Sequence, residues 1–179
     1  MKTTVYRKKF YSKLYKMLES VTPLNVDCGQ LCDGACCAVT DEVTGMYLFP
    51  GEEVMYNPMP SWGEIHEIDF TYDGGKYIDL FTCSGKCDRK LRPLSCRIFP
   101  LIPYAKRDGK LEILMDVRGR GMCPLATAMY KEDLSSEFVR KVTDAMKLCM
   151  AVRETREFIY ALSDSLDEIK LLEEDFHEL

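Results

Sequence analysis

Four cysteines fall within ten residues, in the run Asp27-Cys28-Gly29-Gln30-Leu31-Cys32-Asp33-Gly34-Ala35-Cys36-Cys37, and this block constrains the chain more than any other feature. Residues 24–40 are rich in Gly, Asp and Cys and carry no apolar period, so their own pattern gives them no reason to be ordered unless something binds them. More thiols follow in Cys83-Ser84-Gly85-Lys86-Cys87, at Cys96 shortly after Arg92-Pro93, and at Cys123 before Pro124. Cys149 stands apart.

Nine cysteines in 179 residues do not compensate for a missing core, because a chain of this length with 46% hydrophobic residues buries one unaided. The odd count also suits a fully paired disulfide framework poorly. Lys8, Lys9, Ser12, Lys13 and Lys16 interrupt any apolar run that could act as an export signal, and no stretch approaches a membrane span. The expected compartment is the reducing cytoplasm, where clustered cysteines bind metal or react rather than pair. Net charge is −5 and the last residues are acidic, so neither a nucleic-acid nor a membrane partner is expected. Both charged ends read as solvated helix faces.

Closely spaced cysteines separated by Gly-containing gaps suit chelation. A tight turn aims neighbouring sulfurs at one point, and Gly29, Gly34 and Gly85 supply the turn freedom. His66 sits in an expected strand and His177 in the acidic end, which leaves a donor set that is all sulfur. Soft thiolate ligation selects zinc or an iron–sulfur cluster as the cofactor. Lys86, Arg89, Lys90, Arg92, Arg97, Arg118 and Arg120 concentrate around the later cysteines, where cations offset thiolate charge and lower thiol pKa values. Adjacent Cys36 and Cys37 cannot easily share one small tetrahedral site. One of them therefore serves a second metal, bridges two metals or stays a free reactive thiol, and eight cysteines allow either two four-cysteine sites or a multinuclear cluster. Cys149 falls at helical spacing between Ala145 and Val152 and reads as a small core residue. Trp62 also reads as core.

The pattern predicts a single α+β domain over residues 1–179. A small, irregular, cysteine-rich metal-binding core with short β-hairpins, at residues 25–125, is flanked by an N-terminal helix and a C-terminal helical segment over 130–179. The first helix is expected over 4–20, burying Tyr6, Phe10, Leu14, Met17 and Leu18. After Pro50 a short helix is expected, with Glu52 and Glu53 favouring its dipole. Hairpins are expected over Glu64 to Phe81, turning at Asp73-Gly74-Gly75, and over Leu101 to Met115, turning at Arg107-Asp108-Gly109-Lys110. One long helix, capped by Ser135 or Ser136, is expected to about residue 162. A last helix opens with the capping box Ser165-Leu166-Asp167-Glu168 and runs through Phe176.

Cys28, Cys32 and Cys36-Cys37, combined with Arg92-Pro93-x-x-Cys96-Arg97-x-Phe99-Pro100, resemble the YkgJ-like cysteine-cluster proteins over roughly residues 25 to 125. That family's domain is described as zinc- or iron-chelating and carries a CxxCxxCC signature. The first block here reads C-x₃-C-x₃-CC, one residue longer in each gap, and the stretch from Cys87 to Cys96 is compressed relative to the family. Spacing alone points to Cys28, Cys32, Cys36, Cys37, Cys83, Cys87 and Cys96 as metal ligands, and the resemblance adds Cys123. Related cysteine-cluster sequences include the flagellin lysine methylase type, which implies that some members modify proteins. The expectation is a metal-binding protein. Two other readings stand beside it. One is an iron–sulfur-dependent redox or methylase-like enzyme that uses the Cys36-Cys37 pair, with Arg92 and Arg97 as anion-binding groups at the cofactor. The other is a zinc-scaffolded interaction module whose terminal helices bind a protein partner. The sequence holds no glycine-rich nucleotide loop and no nameable Ser-His-Asp or Cys-His arrangement.

Overall fold

Apolar periodicity at both ends of the chain builds the frame. In the computed structural model, which describes residues 2–38, 45–85 and 87–177, the first helix, α1 (Lys2–Met17), buries Tyr11, Leu14 and Tyr15, with Leu18 just past its end. This face is rotated from the expected one: Tyr6 is exposed and Tyr11 and Tyr15 are inside. The two tyrosines keep their hydroxyls satisfied, Tyr11 by the Pro50 carbonyl at 2.8 Å and Tyr15 by Glu52 Oε1 at 2.6 Å, so burying them costs little.

Both expected hairpins are present. β2 (Gly63–Tyr72) and β3 (Lys76–Cys83) turn through Asp73, Gly74 and Gly75, all at positive φ, and β1 (Gly45–Tyr47) adds to the far edge of β3, giving an antiparallel order β1-β3-β2. β4 (Leu101–Ala105) and β5 (Leu111–Met115) form a separate two-stranded ribbon. The short helices α2 (Leu94–Ile98) and α3 (Pro124–Ala128) each carry or abut a cysteine. The expected helix after Pro50 is a single 3₁₀ stretch, Glu52–Tyr56. Trp62 is half-buried and meets Phe81 edge-on at 5.7 Å.

The C-terminal helices differ from expectation. α4 (Ser136–Ala151) ends early at Val152, whose backbone is extended (φ −101°, ψ 126°), and α5 (Arg153–His177) then runs unbroken through Ser165. Side chains stabilise the break: Thr155 Oγ1 donates to the Cys149 and Val152 carbonyls and Arg156 to that of Met150, satisfying acceptors that a continuous helix would have used. Ser165 opens no helix because the apolar stripe of Phe158, Ile159, Leu162 and Leu166 crosses it without changing period. Cys149, as expected, is a fully buried core residue beside Phe138, Val142, Ala145 and Met146. Among the described residues no helix is long and apolar enough to cross a membrane.

α5 is tied to the β4 edge by Ser163. Its buried Oγ donates to the Ile159 carbonyl at 2.7 Å and accepts the Ala105 N–H at 2.9 Å. Ser163→Ala leaves that buried N–H without its partner. The urea midpoint should fall by the equivalent of about 1–3 kcal/mol with an unchanged slope.

Candidate metal centre

The first cysteine block folds as two consecutive 3₁₀ turns, Cys28–Gln30 and Ala35–Cys37, neither of which buries a residue. Asp27 caps the first by accepting the Gly29 N–H at 3.1 Å, and the Cys32 thiol reaches back to the Cys28 carbonyl at 3.5 Å. Asp33 and Gly34, both at positive φ, reverse the chain between the turns. Gly34 adopts the left-handed region readily and Asp33 at modest cost, so the sharp reversal is local in origin. At its end the Cys36 and Cys37 sulfurs lie 3.9 Å apart.

The later cysteines stand on regular structure. Cys83 is the last residue of β3, paired with Gly63. Cys87 precedes the 3₁₀ turn Arg89–Leu91, capped by Asp88. Cys96 lies in α2, and Cys123 is the buried N-cap residue of α3, its N–H bonded to the Gly119 carbonyl at 2.8 Å. A cavity of about 110 Å³ lies against Cys28, Cys32, Cys36, Cys96 and Cys123.

Charge interactions associate Cys28 with Cys32 and Cys123, and Cys96 with Cys37, Cys83 and Cys87, while Cys96 also lines the cavity beside the first group. Burial raises Cys28, and so do Cys32, Asp27 and Cys123. Cys36 is raised chiefly by its contact with Cys37, then by burial and by Cys37, Cys28 and Cys123. Burial also pushes Cys96 up against the pull of Arg92, and the thiols that add to the rise are Cys37, Cys83 and Cys87. Cys37 moves the other way, to about 6, through the contact with Cys36 and the positive charge of Arg92. Adjacent cysteines therefore face different companions. As the side chains stand, no three His, Cys, Asp or Glu groups among the described residues converge so as to hold an ion.

The two arginines that the sequence reading groups as anion-binding candidates do different work. Arg92 Nε donates to Cys87 Sγ at 3.4 Å, and its pKa rises despite burial because Cys87, Cys37 and Cys96 surround it. Arg97 stacks over the Tyr15 ring at 4.1 Å, and its Nε and NH2 donate to the carbonyls of Arg92, Arg89 and Lys90 at 2.7, 3.0 and 2.7 Å. Its fork grips the chain between Cys87 and Cys96. Arg89 lies 3.6 Å from Asp27, joining the two cysteine-bearing loops. Arg118 is paired with Asp116 at 2.8 Å and faces Tyr47. Lys86 lies outside the described residues, as does Glu178 at the acidic end. His66 sits on β2 against Thr82 and Glu64, not with the thiols.

One residue beneath the cysteines sits in a different environment from the one its sequence context suggests. Glu52, expected as a helix-dipole acid, is completely buried. Its carboxylate accepts Leu94 N–H at 2.6 Å, Phe49 N–H at 2.9 Å and the Tyr15 hydroxyl, and desolvation outweighs these bonds to raise it to about 7. Leu94 is the first residue of α2, so Glu52 anchors the helix that carries Cys96. Placed after Pro50-Gly51 and beside a second Glu, it looks like any exposed first-turn acid; only the long-range approach of α1 and α2 buries it. Comparison with known proteins gave no match, whether to family models, to curated proteins or to solved structures.

Proposed function

We propose that this chain is a metal-binding protein that holds a thiophilic metal, zinc or an iron–sulfur cluster, in each of two four-cysteine sets. The first is Cys28, Cys32, Cys36 and Cys123; the second is Cys37, Cys83, Cys87 and Cys96. The observation that carries the proposal is the difference in neighbours at Cys36 and Cys37: Cys36 lines the cavity beside Cys28, Cys32 and Cys123, whereas Cys37 is absent from that lining and lies near Arg92 and Cys96. The donor chemistry fits: each set is all sulfur, with Arg92 beside the second to offset thiolate charge. Four thiolates saturate a tetrahedral zinc and leave no water position, and they equally suit the four corners of a cubane cluster. Drawing the sulfurs of each set onto a metal is how its affinity would become folding free energy.

Elemental analysis and absorption spectroscopy of anaerobically purified, reduced protein test this. About two zinc per chain and no visible colour is one expected result; iron with matching sulfide and a brown absorbance bleached by dithionite is the other. Cys28→Ser and Cys83→Ser should each lower the metal content, and Cys149→Ser should leave it unchanged. Folded, reduced protein that holds no metal would overturn the proposal.

A further inference from the structure

We infer that the two metal sets load in order and assist one another, with the peptide bond between Cys36 and Cys37 as the coupling element. The inference rests on the two-set reading above and adds to it a mechanism of assembly. Three donors of the second set sit on parts of the fold that need no metal. Cys83 ends β3 in register with Gly63. Cys96 rides on α2, whose first N–H is held by buried Glu52, and Arg97 ties the Cys87-to-Cys96 connection to three of its own carbonyls. Cys87 is joined to Arg92. Cys37 alone comes from the first block, and it already lies near Cys96.

The first set is the reverse. Cys123 alone is fixed, at the start of α3, whereas Cys28, Cys32 and Cys36 lie on turns that bury nothing and whose hydrogen bonds run almost entirely between residues 27 and 38. Holding three donors on such a segment carries a large ordering cost, and fixing one point lowers the closure entropy of what remains. Binding at the second set supplies that point. Once Cys37 is ligated, the Cα of Cys36 is held about 3.8 Å away, and the Cys36 side chain lines the same cavity as Cys28, Cys32 and Cys123. The second set therefore fills first, and filling it tightens the first. Linkage makes the assistance mutual, and a coupling in the usual range corresponds to about 5- to 150-fold in affinity.

Anaerobic titration of the reduced, full-length chain with cobalt(II), followed through the thiolate-to-cobalt absorbance, tests the inference. The unaltered chain should take up two equivalents. Cys83→Ser and, separately, Cys87→Ser disable the second set while keeping Cys36 and Cys37, and each should bind its remaining equivalent at least about tenfold more weakly than the unaltered chain binds either of its two. Inserting one glycine between Cys36 and Cys37 keeps every thiol; two equivalents should still bind, with the advantage of the second reduced. Remaining affinity in both serine variants equal to that of the unaltered chain would overturn the coupling while leaving the two-set reading in place. Complete loss of cobalt binding in both folded variants would point to one multinuclear centre and overturn both. No binding by the unaltered chain would remove the metal reading itself.

Discussion

Removing metal with a strong chelator should free residues 28–37 while leaving the rest of the molecule folded. The segment has no hydrophobic anchor of its own: its two turns bury nothing, and its amides, such as Leu31 to the Cys28 carbonyl and Ala35 to that of Cys32, are satisfied within the segment. Structural zinc in small all-ligand folds supplies about 10–16 kcal/mol near neutral pH, and there its removal unfolds the whole chain. Here Phe138, Met146, Phe158 and Ile159 belong to a large buried apolar core that includes none of the proposed ligand cysteines. The effect should be local and large. Hydrogen exchange at Leu31, Ala35 and Ala38 should accelerate about a thousandfold or more, equivalent to roughly 4 kcal/mol, while the core-facing amides of α4 keep their protection. Equal protection with and without metal would sink the assignment of the first block as ligand-bearing.

Glu52 should make the metal-free, reduced protein less stable as pH rises from about 4.5 to 7. Burial raises the carboxyl to about 7 in the folded state, whereas it titrates near its ordinary value of 4.5 once unfolded. Between those values the folded chain keeps a proton that the unfolded chain has released. The contribution is therefore complete below pH 4.5, shrinks through the window and is gone above pH 7. The shift corresponds to about 3 kcal/mol. Glu52→Gln has nearly the same shape and cannot ionise, so the difference in unfolding free energy between the two proteins should change by about that amount across the window. Parallel stability–pH curves would show that Glu52 is not protonated on folding. Because Glu52 holds Leu94, the variant should also blunt metal uptake at Cys96 more than at Cys28.

The sequence was informative wherever one segment sufficed. The Asp73-Gly74-Gly75 and Arg107-to-Lys110 turns announce their hairpins, and the period through Ala145, Cys149 and Val152 places Cys149 in the core. It was least informative where two segments decide together. The chain breaks at Val152 because Thr155 and Arg156 take the freed carbonyls, a bonding choice that no apolar period records. The α1 face is rotated because Tyr11 and Tyr15 find acceptors at Pro50 and Glu52, residues far along the chain. In the candidate site, clustering alone marked the thiols, and adjacency alone marked Cys36 and Cys37 as unable to act as one. Which companions each faces depends on where β3, α2 and α3 end, and that is a property of the assembled fold.

The grip of Arg97 on the carbonyls of Arg89, Lys90 and Arg92 acts as a ruler. A guanidinium spans those three oxygens only while the loop keeps its present length, so the connection from Cys87 to Cys96 tolerates neither an added nor a missing residue. Lysine cannot stand in, since one ammonium lacks the planar reach. Anyone shortening, grafting or re-spacing this cysteine array should transplant Cys87 through Arg97 as a single block, with Glu52 and Tyr15 beneath it, because Cys87 and Cys96 moved without that gauge would lose the distance that sets them.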